Sequence, residues 1–139
     1  MSSVNMTDEF NELYGQYQNI VKQLQYLEQQ EIQFSGLISD LKLNISTLQG
    51  LETNQESDEI IIPLGGLILV KAKLKEIGSI LLNAGSNVII PSTIDNAKNK
   101  LEDRVNEFVK IYDKIVEDRV KLETIAENLS TQLNQLSNQ

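Results

Sequence analysis

Met6, Phe10, Leu13, Tyr17, Ile20, Leu24, Leu27, Glu31, Phe34, Ile38, Leu41, Ile45 and Leu48 form an unbroken series of alternating four- and three-residue steps. Twelve of the thirteen are apolar or aromatic, and only Glu31 is charged. A mean repeat of 3.5 keeps one seam facing a partner helix over many turns, which is the condition for a left-handed coiled coil. A second series, Ile94, Leu101, Phe108, Ile115, Leu122, Leu129 and Leu136, recurs at seven-residue intervals toward the other end. Its companion row reads Lys98, Val105, Tyr112, Arg119, Ala126 and Leu133, so the second repeat is looser. Each seam needs a partner, and the nearest one is in the same chain. The expected fold is mainly α with a small β segment: a long antiparallel coiled-coil hairpin, its helices spanning 6–52 and 93–137.

Composition narrows the chemistry. At 139 residues the length fits one domain, and the two helices claim about 100 of them, leaving too little for a separate globular core. The chain has no Cys, His or Trp. Disulfides and thiolate chemistry are thereby excluded, and the commonest general base and zinc ligand is missing. A formal charge of −8 argues against nucleic acid, whose phosphates call for clustered Lys and Arg. No basic leader with an apolar core opens the sequence and no apolar run approaches membrane-spanning length, so a cytoplasmic protein without membrane association is expected. The acid pairs Asp58/Glu59 and Glu102/Asp103 have no nucleophile–base set or metal spacing beside them, and Gly65-Gly66 is not followed by a phosphate-loop Lys. The sequence points to a scaffold, with no enzyme activity, cofactor or metal expected.

The middle segment, 59–91, changes character. Ile60-Ile61-Ile62-Pro63, Leu67-Ile68-Leu69-Val70, Ser79-Ile80-Leu81-Leu82 and Val88-Ile89-Ile90-Pro91 are short apolar runs separated by Gly-containing turns. They predict four strands in two β-hairpins, with Val70 to Lys75 alternating so as to keep one wet face. Pro63 and Pro91 close runs where no ladder donor is needed. Side chains alternate faces along a strand, so Ile60, Ile61 and Ile62 place large groups on both sides of a sheet. Four strands cannot cover both faces. Either the bases of the helices fold over one face, or the hairpins meet other chains; exposed apolar sheet and open edges favour the second. Ile60, Ile61, Ile62, Leu67, Leu69, Ile80, Leu82, Val88 and Ile90 are the expected oligomerisation residues. Thr7 reads as the N-cap of the first helix, with acids behind it, and the helix should fail between Gly50 and Asn54. Ser92 or Thr93 reads as the cap of the second, with Asp95 in its first turn, while Lys98, Lys100, Glu102 and Asp103 read as ordinary solvated charge.

This order resembles the α-type subunit of prefoldin, a family of archaeal and eukaryotic co-chaperones. The resemblance covers nearly the whole chain. Ile60-Ile61-Ile62-Pro63-Leu64-Gly65 looks like the family's apolar-Pro-apolar-Gly lead into the first hairpin. Ile80 to Val88 is similar to the family's V-G-x-G-Y exit strand, and Ser92-Thr93-Ile94-Asp95-Asn96-Ala97 to the start of its C-terminal arm. Asn83 stands where the first Gly is usual, Ser86-Asn87 replaces aromatic residues and Ile89 replaces a frequent acid. The resemblance implies two α-type subunits joined to four β-type subunits on an oligomeric double β-barrel platform, with six coiled coils below it. It also implies an ATP-independent holdase that captures non-native polypeptides and passes them to a group II chaperonin. Some α-like paralogues instead form filaments or homo-oligomers, and a tethering coiled coil that merely dimerises through its β segment is the rival reading.

The free ends of the arms carry the candidate client-binding residues. The first arm would run roughly 65 Å at 1.5 Å per residue. Met6, Phe10, Leu13, Tyr14 and Tyr17 near its start face Leu129, Leu133 and Leu136 near the end of the chain, with Met1 and Val4 adding apolar groups. Tyr14 is off the seam; the others fit either core or client contact. Finally, the two seam flaws invite a pairing. A hairpin returning between about residues 52 and 97 places Glu31 opposite residues 117 to 119, within reach of Arg119. Such a polar pair inside an apolar seam fixes register at a cost in stability.

Overall fold

The computed structural model describes residues 3–138. Helix α1 spans Ser3–Glu52 and α2 spans Ile94–Ser137; between them come β1 (Glu59–Pro63), β2 (Leu69–Lys73), β3 (Ile80–Asn83) and β4 (Ile89–Ser92). The strands form two antiparallel two-stranded sheets, β1 with β2 and β3 with β4. The chain divides into two compact units. Residues 1–37 with 108–139 form the arm unit, and residues 38–107 form the base unit.

Periodicity is reproduced in burial. All thirteen seam positions of α1 are buried or half-buried, and among the other described residues from Thr7 to Gly50 only Val21 and Gln30 join them. Every position of both α2 rows is likewise shielded, Lys98 and Arg119 included. The core this makes is thin. Leu48, Ile94, Ala97, Ile115, Leu129 and Leu133 are the buried apolar residues among those described, and no large side chain is fully enclosed. In the arm unit the rings of Phe34 and Phe108 meet edge to face at 5.5 Å, a favoured aromatic geometry that ties α1 to α2. In the base unit Leu48, Ile94 and Ala97 pack together, with Leu51, Ile77, Ile80 and Leu101 against them.

Several expectations are corrected. α1 begins at Ser3, so Thr7 lies inside it rather than capping it; no Gly or Pro stands upstream to stop the helix. β2 begins at Leu69, which leaves Leu67 and Ile68 in the turn. That turn closes when the Leu64 N–H donates to the Ile68 carbonyl at 2.8 Å, and Gly65 takes φ +140°, a region open to glycine. Val88 also precedes its strand: its carbonyl accepts from the Ala84 N–H at 2.8 Å, closing the second turn. Lys98 is not an outer-face charge. Its ammonium sits 2.7 Å from Glu52 in the seam.

The helix ends have local causes. At the C-terminus of α1 the Thr53 hydroxyl donates to the Gly50 carbonyl at 2.7 Å, and the Asn54 N–H to Leu51 at 3.1 Å. At the N-terminus of α2 the Thr93 hydroxyl accepts the Asn96 N–H at 3.1 Å, so of the two candidate caps it is Thr93 that serves.

Candidate assembly and client-binding surfaces

Register determines what each hairpin offers. In the first, Ile60 pairs with Ala72 and Ile62 with Val70, while Glu59, Ile61 and Pro63 pair with Lys73, Lys71 and Leu69. Facing residues share a sheet face. One face is therefore wholly apolar, and the other is charged at its open end and apolar near the turn. Ile60 and Ala72 are half-buried. Outside them the surface is open: Ile61 is 62% exposed, Leu69 66%, and Leu67 at the tip of the turn 99%.

In the second hairpin Ile80 pairs with Ser92 and Leu82 with Ile90 on one face, and Leu81 with Pro91 and Asn83 with Ile89 on the other. The first set is half-buried, with Ile80 against the Leu48–Ile94–Ala97 cluster. The second set, together with Val88, faces outward. The turn runs through Gly85, Ser86 and Asn87 at φ +103°, +50° and +64°. Asn83 steadies it by accepting the Gly85 N–H on its side-chain oxygen at 3.0 Å. Hydrogen-bonded and open pairs alternate along an antiparallel ladder. Counting from the Leu64–Ile68 and Ala84–Val88 bonds, Pro63 and Pro91 fall on open edges, where a missing N–H leaves no ladder bond unmade.

The candidate tip residues divide in the same way. Leu129 and Leu133 are buried within the arm, whereas Met6, Phe10, Leu13, Tyr17 and Leu136 are half-buried along the seam. Tyr14 stands off it, 47% exposed, with its ring stacked at 6.1 Å and 7° on that of Phe10. Met1 and the side chain of Val4 lie outside the described residues.

The structure brings Glu31 and Arg119 together. The guanidinium Nε donates to Glu31 Oε2 at 2.6 Å and Nη1 to Glu123 Oε1 at 2.7 Å. The side chains of Glu31 and Arg119 are only 22% and 23% exposed. The Glu31 carboxylate, then that of Glu123, holds the Arg119 pKa above its ordinary value. Lys98 is raised likewise, first by its hydrogen bond with Glu52. That second ion pair went unforeseen. Its only sequence signal was a lysine in a seam row, and its partner is set by where the chain leaves α1.

Among the described residues there is no group of carboxylates fit to hold a metal ion and no helix long and apolar enough to cross a membrane.

Comparison with known proteins agrees with this architecture. Residues 20–139 match the family model described as Prefoldin subunit. Prefoldin subunit alpha of Methanoculleus marisnigri is 27% identical over 123 residues, covering 88% of this chain and 77% of the relative. That of Nitrosopumilus maritimus is 30% identical over 100 residues, covering 67% of this chain and 68% of the relative. A cryo-EM structure of filamentous PFD from Methanocaldococcus jannaschii superposes with a TM-score of 0.72 at 18% identity, covering 83% of this chain and 95% of that one. Two long helices, two small hairpins between them and a family match over most of the sequence place this chain in the prefoldin family.

Proposed function

We propose that this chain is an assembly subunit of an ATP-independent holdase in the cytoplasm. It joins β-type prefoldin subunits through its hairpins, captures non-native polypeptides with its coiled-coil arm and delivers them to a group II chaperonin. One observation carries the reading: the first hairpin leaves Ile61, Leu64, Leu67, Ile68 and Leu69 in solvent, a contiguous apolar set that a lone chain does not cover. The relatives named prefoldin subunit alpha support it. Co-expression with a β-type subunit, followed by native mass spectrometry and an aggregation assay on a denatured protein, tests both halves. We expect a defined hetero-oligomer that suppresses aggregation without nucleotide. Removal of residues 1–14 and 130–139 should spare the assembly and weaken the protection. A monomer at micromolar concentration, with or without the second subunit, overturns the reading. A homo-oligomer or filament is the second reading, favoured by the superposition on a filamentous assembly, and a ladder of masses from the chain alone would select it.

A further inference from the structure

Beside the seam of α1 runs a second row. Tyr14, Gln18, Val21, Gln25, Glu28, Ile32 and Ser35 follow the same four- and three-residue steps and so share one flank of the helix, all within the arm unit. Two open grooves lie along it. One, of ≈ 340 Å³, is lined by Tyr14, Gln18, Val21 and Gln25 with Tyr17 and Lys22. The other, of ≈ 460 Å³, is lined by Glu28, Glu31, Ile32 and Ser35, with Tyr112 and Arg119 from α2. Apolar groups stand in water along this flank: Ile32 is 74% exposed, and Tyr14 nearly half so. By contrast the leucines at the free ends, Leu129 and Leu133, are engaged in the seam.

We propose that this flank, from Tyr14 to Ser35, is a track that holds an extended segment of non-native polypeptide rich in aliphatic or aromatic residues and in Lys or Arg. The proposal rests on the holdase reading and extends its client surface well beyond the tips. Charge selects the occupant. The arm unit carries ten carboxylates against five cations, and although Glu31 in the second groove is matched by Arg119, Glu28 beside it is not. The Glu28 side chain makes no ion pair or hydrogen bond among the described residues, so its carboxylate is available to a basic side chain. Gln18 and Gln25 each offer donors and acceptors to an extended backbone, whatever its sequence. Ile32, Val21 and Tyr14 supply non-directional apolar contact between them. The row covers about 31 Å at 1.5 Å per residue, which matches an extended segment of about nine residues at 3.3 Å each.

Labelled nine-residue peptides alternating Leu or Phe with Lys, and the same peptides with Glu for Lys, test this by fluorescence anisotropy on the assembled complex. The basic peptide should bind roughly tenfold tighter than the acidic one, and Ile32→Ser with Glu28→Lys should weaken it roughly tenfold. The melt should be unchanged, since both side chains are exposed. Glu28→Gln alone should remove most of the charge preference and leave the apolar contribution. If the variant complex binds the basic peptide as tightly as wild type while both suppress aggregation, the track is wrong and the holdase reading stands. If the wild-type complex itself suppresses no aggregation and binds neither peptide, the holdase reading fails, and the track with it.

Discussion

The two hairpins of the base unit are built alike and spend their apolar residues differently. Each is a short antiparallel pair closed by a glycine-containing turn. The second lays Ile80 on the cluster formed by the two helix ends, Leu48 with Ile94 and Ala97, so one of its faces completes the fold of this chain. In the first, only Ile60 and Ala72 are even half-buried among the paired residues, and both faces otherwise look outward. A two-stranded sheet is marginal by itself. One hairpin thus rests on its own helices, and the other leaves its apolar faces in solvent. The helix bases do fold over one sheet face, as one of the two sequence readings allowed, but they serve the second hairpin and leave the first open.

Charging the outward positions of the first hairpin should have the largest effect. Ile61→Lys with Leu69→Lys should abolish assembly while leaving the far-UV spectrum of the subunit and its helical melt nearly unchanged, as read by native mass spectrometry and circular dichroism. An unaltered oligomer would erase the distinction between the hairpins. Next in size is the anchor of the second hairpin. Leu48→Ala removes a buried side chain that both α2 and Ile80 rest on, and should cost about 2–4 kcal/mol of subunit stability in urea melts. A loss below about 1 kcal/mol would mean that the second hairpin does not depend on the helix ends.

The smallest effect sharpens the comparison from within the helices. Lys98 gains its partner Glu52 on folding, and its pKa rises above the ordinary 10.5. A cation with a raised folded pKa contributes stability that is fully present below the unfolded value and is lost as pH climbs through the folded one. Wild type should therefore lose a small increment of melting temperature at strongly alkaline pH that Lys98→Met does not lose. Parallel pH profiles for the two proteins would count against the clasp.

The Glu31–Arg119 contact yields to a cycle of substitutions. Replacing both residues by Leu should raise the melting temperature and admit misaligned arms, whereas Glu31→Leu alone leaves the shielded guanidinium with Glu123 as its remaining carboxylate and should destabilise. Absence of coupling energy in the cycle would show that the two side chains act separately.

Some of this was legible in residue order and some was not. The seam of α1 was, position by position, because a 3.5 repeat has one geometric meaning when sustained over thirteen positions. Glu31 and Arg119 could be matched across the hairpin because antiparallel helices fix which numbers face each other. The limits of β2 could not be read: Leu67-Ile68-Leu69-Val70 is a uniform apolar run, and nothing in its residue order separates the exposed turn residues Leu67 and Ile68 from the strand that follows. The true start of α1 was obscured by Thr7-Asp8-Glu9, which imitates a cap. Nor could the flank row be separated from ordinary polar surface, since Gln18, Gln25 and Ser35 dilute its apolar members until burial shows which are left in water.

A core only one side chain deep has a mechanical corollary. In the arm unit Ile115, Leu129 and Leu133 are the buried residues among those described, spaced along one seam rather than gathered at a centre. Cohesion then accumulates along the pair of helices as it does in linear repeat arrays, layer by layer, without one centre on which everything depends. On that ground opening should start at the free ends and advance inward, with amide exchange slowing in steps toward the Phe34–Phe108 contact. Such an arm can lose or gain matched heptads on both helices and remain the same structure with a different reach.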